Sequence, residues 1–143
     1  MEIKLYSTLP SESIKIRKLV FVEEQGFKNE FDEIDTYASH LVMYKNNIAI
    51  ATCRLYKKQN TSCYVIGRIA VLKEYRGQKT GAKLLKKAEE IVYQYKGEYI
   101  MLHAQIQAQQ FYEKLGYLSY GGIEYDENCP HIWMLKNLIG EEK

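Results

Sequence analysis

Proline and cysteine are scarce in this chain, with two prolines and three cysteines among 143 residues. Two prolines exclude a proline-rich linker, and no low-complexity segment or internal repeat interrupts the sequence. Cys53, Cys63 and Cys129 are odd in number and match no zinc-ligand spacing, so neither a disulfide framework nor a metal site is expected. No apolar run approaches the roughly 20 residues of a membrane span, and the N-terminus lacks the apolar core of a signal peptide. A cytoplasmic protein with no membrane partner is the expectation. The net charge of +2 is too small, and the lysines too dispersed, to argue for nucleic acid. No Ser-His-Asp arrangement is evident either.

What is present suits an enzyme-sized globular domain. Residues 1–143 fit one domain with a real core, and 46% hydrophobic against 27% charged residues excludes a disordered chain. Glu2 to Tyr6 reads as an edge strand, and Pro10-Ser11 opens a helix whose Ile14, Leu19 and Val20 can face a core. A loop from Gly26 to Ala38 follows. His40 to Tyr44 and Ile48 to Tyr56 are strands joined by Asn46-Asn47, a pair that tolerates the positive φ of a tight hairpin. A further strand, Ser62 to Leu72, leads into a helix over Lys79 to Tyr95, with apolar Ala82, Leu85, Ala88, Ile91 and Val92 at helical spacing and Gly97 as its stop. A strand near residues 98 to 104, a short helix from Gln107 and two C-terminal strands complete a mixed, mostly antiparallel α/β sheet flanked by helices.

The turn between the third long strand and the long helix carries chemistry. In Val71-Leu-Lys-Glu-Tyr-Arg-Gly-Gln-Lys-Thr-Gly-Ala82, Gly77 and Gly81 let the backbone approach a ligand, and the first helical turn offers free N–H groups and the positive end of its dipole. Arg76, Lys79 and Lys83 add charge, and Thr80 adds a hydroxyl donor. The arrangement suits a diphosphate without a metal.

Further along, Tyr99-Ile-Met-Leu-His-Ala-Gln105 leads into Gln107-Ala-Gln-Gln-Phe-Tyr-Glu-Lys-Leu-Gly-Tyr117. Together with the Arg76–Gly81 turn, this segment resembles the GNAT superfamily of N-acetyltransferases. Ile16-Arg-Lys-Leu-Val-Phe-Val-Glu-Glu-Gln25, Phe31-Asp-Glu-Ile-Asp35, His40, Glu124 and Pro130-His-Ile-Trp-Met134 extend the resemblance to the ElaA/YjcF-like branch and over nearly the whole chain. Two positions depart from the family pattern: Lys79 replaces the middle glycine of the turn, and Gln105 replaces an asparagine.

The resemblance implies a GNAT fold and acetyl transfer from acetyl-CoA to a primary amine of a small molecule, or to an exposed amino group, through a tetrahedral intermediate. It places Ile69, Ala70 and Val71 along the pantetheine arm, with the Val71 N–H as oxyanion donor. Arg76, Gly77, Gln78, Lys79, Thr80, Gly81 and Ala82 would surround the diphosphate, and Gln105, Phe111 and Tyr112 would complete the cofactor site. Tyr112 is the expected general acid, since a phenol and a thiol are close enough in pKa for a positioned tyrosine to protonate the leaving sulfur.

The base is open among Glu33, Asp35, His40, Glu124, His131 and His103, with Glu124 and His131 as the catalytic pair of choice. Glu23, Glu24, Glu30, Asp32, Glu33 and Asp35 form an acidic segment that reads either as a solvated loop or as a site for a cationic acceptor. On the second reading Glu33, Asp35, His40, Glu124 and His131 bind the acceptor. A weak acyl-CoA-binding or sensing module and an acyl-homoserine-lactone-type synthase are the alternative functions, and assembly as a homodimer is open.

Overall fold

The computed structural model describes residues 1–139. Its elements are β1 (Glu2–Tyr6), α1 (Ser11–Arg17), β2 (Ser39–Lys45), β3 (Ile48–Lys57), β4 (Cys63–Val71), α2 (Thr80–Gln94), β5 (Tyr99–Gln105), α3 (Gln109–Lys114), β6 (Leu118–Asp126) and β7 (Cys129–Asn137). Neighbouring strands hydrogen-bond in the order β1-β2-β3-β4-β5-β7-β6. The β4–β5 pair is parallel, whereas β1–β2, β2–β3, β5–β7 and β6–β7 are antiparallel, giving the expected mixed, mostly antiparallel sheet flanked by helices. None of the described helices is long and apolar enough to cross a membrane. All three cysteines are free, and burial pushes the Cys53 thiol up to about 12, which keeps it protonated and inert.

The residues pack into two units that the chain visits alternately. The first comprises Met1–Tyr56 and Ile66–Glu90. Its β2–β3 turn has Asn46 at φ 52° and Asn47 at φ 66°, the left-handed pair that a two-residue hairpin demands. Pro10 caps α1, but the helix changes to π-helical winding over Lys18–Glu24. The wider winding alters the inward face: Ile16, Val20 and Phe21 are buried around Ala70 of β4, while Leu19 points outward. Leu84 and Leu85 of α2 are buried, whereas Ala82 is only half-buried.

The second unit comprises Lys57–Val65 and the chain from Ile91 onward. Here the left-handed residue that ends α2 is Lys96, at φ 66°, rather than Gly97. Gly97 answers a different need: a Cβ there would lie 2.5 Å from Val92 Cγ1 and 2.7 Å from Tyr64 Cδ1. The segment after β5 begins as a 3-10 turn, Ile106–Ala108, before α3. Gly116, at φ 98°, ends it, and Lys136 Nζ donates to the Leu115 carbonyl at 2.8 Å. That bond satisfies one of the orphan carbonyls at the helix end.

Candidate functional site

In the first unit, β4 delivers the chain to the glycine-bearing turn. Ile69 and Val71 are half-buried, while the Ala70 methyl lies in the α1 core, so a ligand lying along this strand meets the Ala70 main chain and not its side chain. After a 3-10 turn, Lys73–Tyr75, the residues Arg76, Gly77, Gln78 and Lys79 are exposed and α2 begins at Thr80. Gly77 has φ 77° and Lys79 has φ 63°. Lysine therefore adopts a backbone that favours glycine, at a cost of about 1–2 kcal/mol for a left-handed non-glycine residue. Gly81 lies in the first turn of α2 and has no positive φ, so it serves the helix and not the turn. The Lys83 N–H closes the first helical bond on the Lys79 carbonyl at 3.0 Å. The N–H groups of Thr80, Gly81 and Ala82 precede it, at the positive end of the dipole.

Two side chains expected on a diphosphate are committed elsewhere. Arg76 Nε donates to the Val71 carbonyl at 2.9 Å, and its two Nη atoms pair with the Glu24 carboxylate at 2.8 and 2.7 Å. This pairing holds the Glu24 carboxyl below its usual range. Arg76 thus clamps the turn to the π-helical segment. The buried Thr80 hydroxyl donates to the Tyr75 carbonyl at 2.9 Å, so its donor stabilises the turn and is not offered to a ligand.

Much of the acidic segment is taken up by ion pairs, while Glu23 and Glu33 stay exposed. Glu30, Asp32 and Asp35 meet three arginines from separate elements. Arg17 of α1 places Nε 2.8 Å from Glu30 and Nη1 2.7 Å from Asp35; Arg54 of β3 pairs with Asp32 at 2.6 Å and Asp35 at 3.0 Å; Arg68 of β4 lies 2.8 Å from Glu30. Asp32 and Asp35 also close a capping box around the 3-10 turn Glu33–Thr36. Burial disfavours the Asp35 charge, yet the Arg17 and Arg54 hydrogen bonds outweigh it and hold that carboxyl well below the carboxylate range. Burial instead pushes Glu30 up despite Arg68 and Arg17.

Asp35, 5% exposed, is therefore a tertiary anchor and not an acceptor-binding group. His40 is 1% exposed behind it, with Nε2 3.2 Å from the Asp35 carbonyl, and burial lowers its pKa. It cannot meet a solvent-borne acceptor from there. Glu33 remains exposed. Beside this network lies a cleft of about 430 Å³ lined by Lys18, Val22, Glu23, Lys28, Asn29, Glu30 and Phe31. Sequence reasoning missed its two lysines and all three arginines. A signal was available at Arg17, a charge inside the inward stripe of α1.

In the second unit a separate set of candidate residues comes together. Tyr112 of α3 is half-buried, with its ring centroid 5.0 Å from Phe111 and 6.1 Å from the buried Tyr117. Phe111 is exposed and is not a core residue. The Gln105 side-chain carbonyl accepts from Gln107 at 2.5 Å. On the adjoining strands, β7 pairs His131 with Gln105 of β5 and with Glu124 of β6. His103 stacks on Trp133 at 4.5 Å and lies 4.8 Å from the His131 ring. Its Nε2 is 3.6 Å from Glu124 Oε1, while His131 Nδ1 is 2.9 Å from the Cys129 carbonyl. Burial first, then the neighbouring His131, lowers the His103 pKa and favours the neutral ring. His103 thus stands beside both Glu124 and His131.

Comparison with known proteins agrees with this architecture. Residues 8–138 match the family model described as acetyltransferase (GNAT) domain. A Bacillus subtilis protein assigned as an acetyltransferase is 37% identical over 129 residues, covering 87% of this chain and 86% of its own. Bacillus subtilis YjcF is 30% identical, covering 88% and 91%. Escherichia coli ElaA is 28% identical in sequence, covering 88% and 86%, and its crystal structure superposes with a TM-score of 0.83 over 96% of this chain and 100% of that one. The crystal structure of a Lactobacillus plantarum protein assigned as an N-acetyltransferase gives a TM-score of 0.88 at 32% identity, covering 96% and 97%. An aminoglycoside 6'-N-acetyltransferase, crystallised with coenzyme A, shares the fold at 16% identity and a TM-score of 0.76. With this fold and these relatives, the chain belongs to the GNAT acetyltransferase family, in its ElaA/YjcF-like branch, and is an acyltransferase.

Proposed function

We propose that this chain, acting as a single cytoplasmic GNAT domain, transfers the acetyl group of acetyl-CoA to a primary amine of a small molecule or an exposed amino group. The observation that carries the reading is the turn before α2, where Gly77 and Lys79 both take left-handed backbone ahead of a fifteen-residue helix. That backbone suits close approach of a diphosphate to the helix N-terminus. Gly77, Gln78, Lys79, Gly81 and Ala82 hold it chiefly through main chain, with the Lys79 ammonium adding charge. Ile69, Ala70 and Val71 line the pantetheine arm, and Gln105 and Phe111 are further cofactor residues.

The chemistry then follows the needs of acyl transfer. The amine lone pair attacks the thioester carbon, forming the C–N bond, and the Val71 N–H stabilises the oxyanion. Such a donor is worth about 3–4 kcal/mol of barrier. The C–S bond breaks as the intermediate collapses, and Tyr112 protonates the departing thiolate. The amine proton passes to the cluster of Glu124, His131 and His103, whose neutral His103 ring is suited to accept it. Glu33 and Glu124 are the acidic groups left to attract a cationic amine.

Calorimetry with acetyl-CoA tests the reading, together with thiol release across a panel of amines. Saturable binding and one free thiol per acetylated amine are expected. Absence of heat at millimolar acetyl-CoA would defeat it, and binding without turnover on any amine would leave a CoA-binding module instead.

Lys79→Gly probes the turn itself. Relief of the left-handed strain should raise stability by about 1 kcal/mol, read from denaturant midpoints. Loss of the ammonium should weaken acetyl-CoA binding about fivefold and flatten its salt dependence. Tighter binding would mean that the lysine side chain obstructs the phosphates.

A further inference from the structure

Arg68 is the only non-glycine residue inside a strand, among the described residues, with a left-handed backbone, at φ 51°. A long side chain is an unfavourable choice for that conformation, and such outliers persist only where surrounding contacts enforce them. Here the enforcement is visible. Arg68 Nε and Nη2 donate to the Glu30 carbonyl at 3.2 and 3.0 Å, Nε lies 2.8 Å from the Glu30 carboxylate, and Nη2 lies 3.4 Å from Asp32. The loop does not depend on Arg68 for its counter-charges. Arg17 already bonds the Glu30 carboxylate and carbonyl, and Arg54 holds Asp32 through two bonds, at 2.6 and 3.1 Å.

What Arg68 adds is a pull on β4. The next three residues, Ile69 to Val71, form the main chain assigned above to the thioester arm, and Glu30 is also a wall of the 430 Å³ cleft. We propose that Arg68 is a positioning residue: its tether to Glu30 and Asp32 holds β4 in its left-handed kink and fixes the Ile69–Val71 main chain against the loop that walls the cleft. The proposal rests on the acetyl-transfer reading for its catalytic consequence, although the tether itself does not. A change at Arg68 therefore acts on orientation at the reacting carbonyl more than on diphosphate affinity, which the α2 turn supplies.

Arg68→Gly is the direct test, because glycine adopts the same backbone without strain while the tether is lost. Turnover at saturating substrates should fall about tenfold or more, while acetyl-CoA affinity stays within about threefold. Guanidinium ion at millimolar concentration should restore part of the turnover, a response that a merely stabilising arginine would not give. Turnover within twofold of wild type, or a loss explained wholly by weaker acetyl-CoA binding, would overturn the proposal. Amide hydrogen exchange separates this failure from failure of the acetyl-transfer reading, since it needs no activity. Protection at Ile69–Val71 and Glu30–Asp32 should drop about tenfold in Arg68→Gly, and unchanged protection would overturn the tether. Should the glycine variant not fold, Arg68→Lys keeps the charge but loses the fork: intermediate turnover and protection are expected, and wild-type values of both would reject the proposal.

Discussion

Asp35→Asn should destabilise the protein by about 3–5 kcal/mol, the usual consequence of removing one partner from a buried ion network. Asparagine keeps the shape of the side chain but trades one acceptor oxygen for an NH2 that faces N–H donors, so the loss combines the missing charge with broken hydrogen bonds. Three arginines, Arg17, Arg54 and Arg68, would then face only Glu30 and Asp32. A fall in Tm of about 10 °C or more is expected for a chain of this size. The effect also has a pH signature. Asp35 has a folded pKa held below its unfolded value, so its stabilisation is present above the unfolded value of about 3.9 and is lost as pH falls through the lower folded value. The difference between wild type and Asp35→Asn should accordingly shrink in acid. Glu30, whose pKa is raised by burial, works in the opposite sense: its ionised form is disfavoured by folding, so its contribution improves as pH falls toward the ordinary carboxylate range. Glu33→Gln, on the exposed side of the same turn, should change stability by less than about 0.5 kcal/mol and serves as the control. Equal denaturant midpoints for Asp35→Asn and wild type would show that the network contributes nothing net.

Tyr112→Phe should lower the rate of acetyl transfer by roughly 100-fold while leaving acetyl-CoA affinity nearly unchanged, as removal of a general acid requires. Phenylalanine preserves the ring that packs 5.0 Å from Phe111 and 6.1 Å from Tyr117, so the fold of α3 is retained and the hydroxyl alone is deleted. Single-turnover measurements place the loss on the chemical step and not on product release. Equal single-turnover rates in the two proteins would assign Tyr112 to packing and leave the thiolate to be protonated by another group. An equal loss of acetyl-CoA affinity and rate would instead make it a binding residue.

The features legible in the sequence are those encoded by neighbours a few residues apart. The Asn46-Asn47 turn, the start of α1 after Pro10, the apolar stripe of α2 and the strand-turn-helix order around Arg76 all depend on local φ preference or hydrophobic spacing, and they stand where that chemistry puts them except that the stripe includes Leu84 and leaves Ala82 half-buried. The turn and the Phe111-Tyr112 segment together also sufficed to indicate the family. Local reasoning erred where winding or crowding departs from the standard helix. Leu19 turned outward because Lys18–Glu24 is π-helical, and Gly97 is required by Val92 and Tyr64 while Lys96 ends the helix. The fate of polar groups lay further from reach. Whether Asp35 is a ligand or an anchor depends on Arg17 and Arg54, eighteen and nineteen residues away in sequence, and Thr80 and Arg76 were claimed by the Tyr75 carbonyl and by Glu24. His103 joins Glu124 and His131 only because the strand register of β5, β6 and β7 sets them side by side. Backbone preference is a property of a residue and its neighbours, so the sequence determined the elements and the turn chemistry. The partner of a charge is set by which elements fold against it, so only the tertiary structure decided which polar residues hold the fold together and which remain for chemistry.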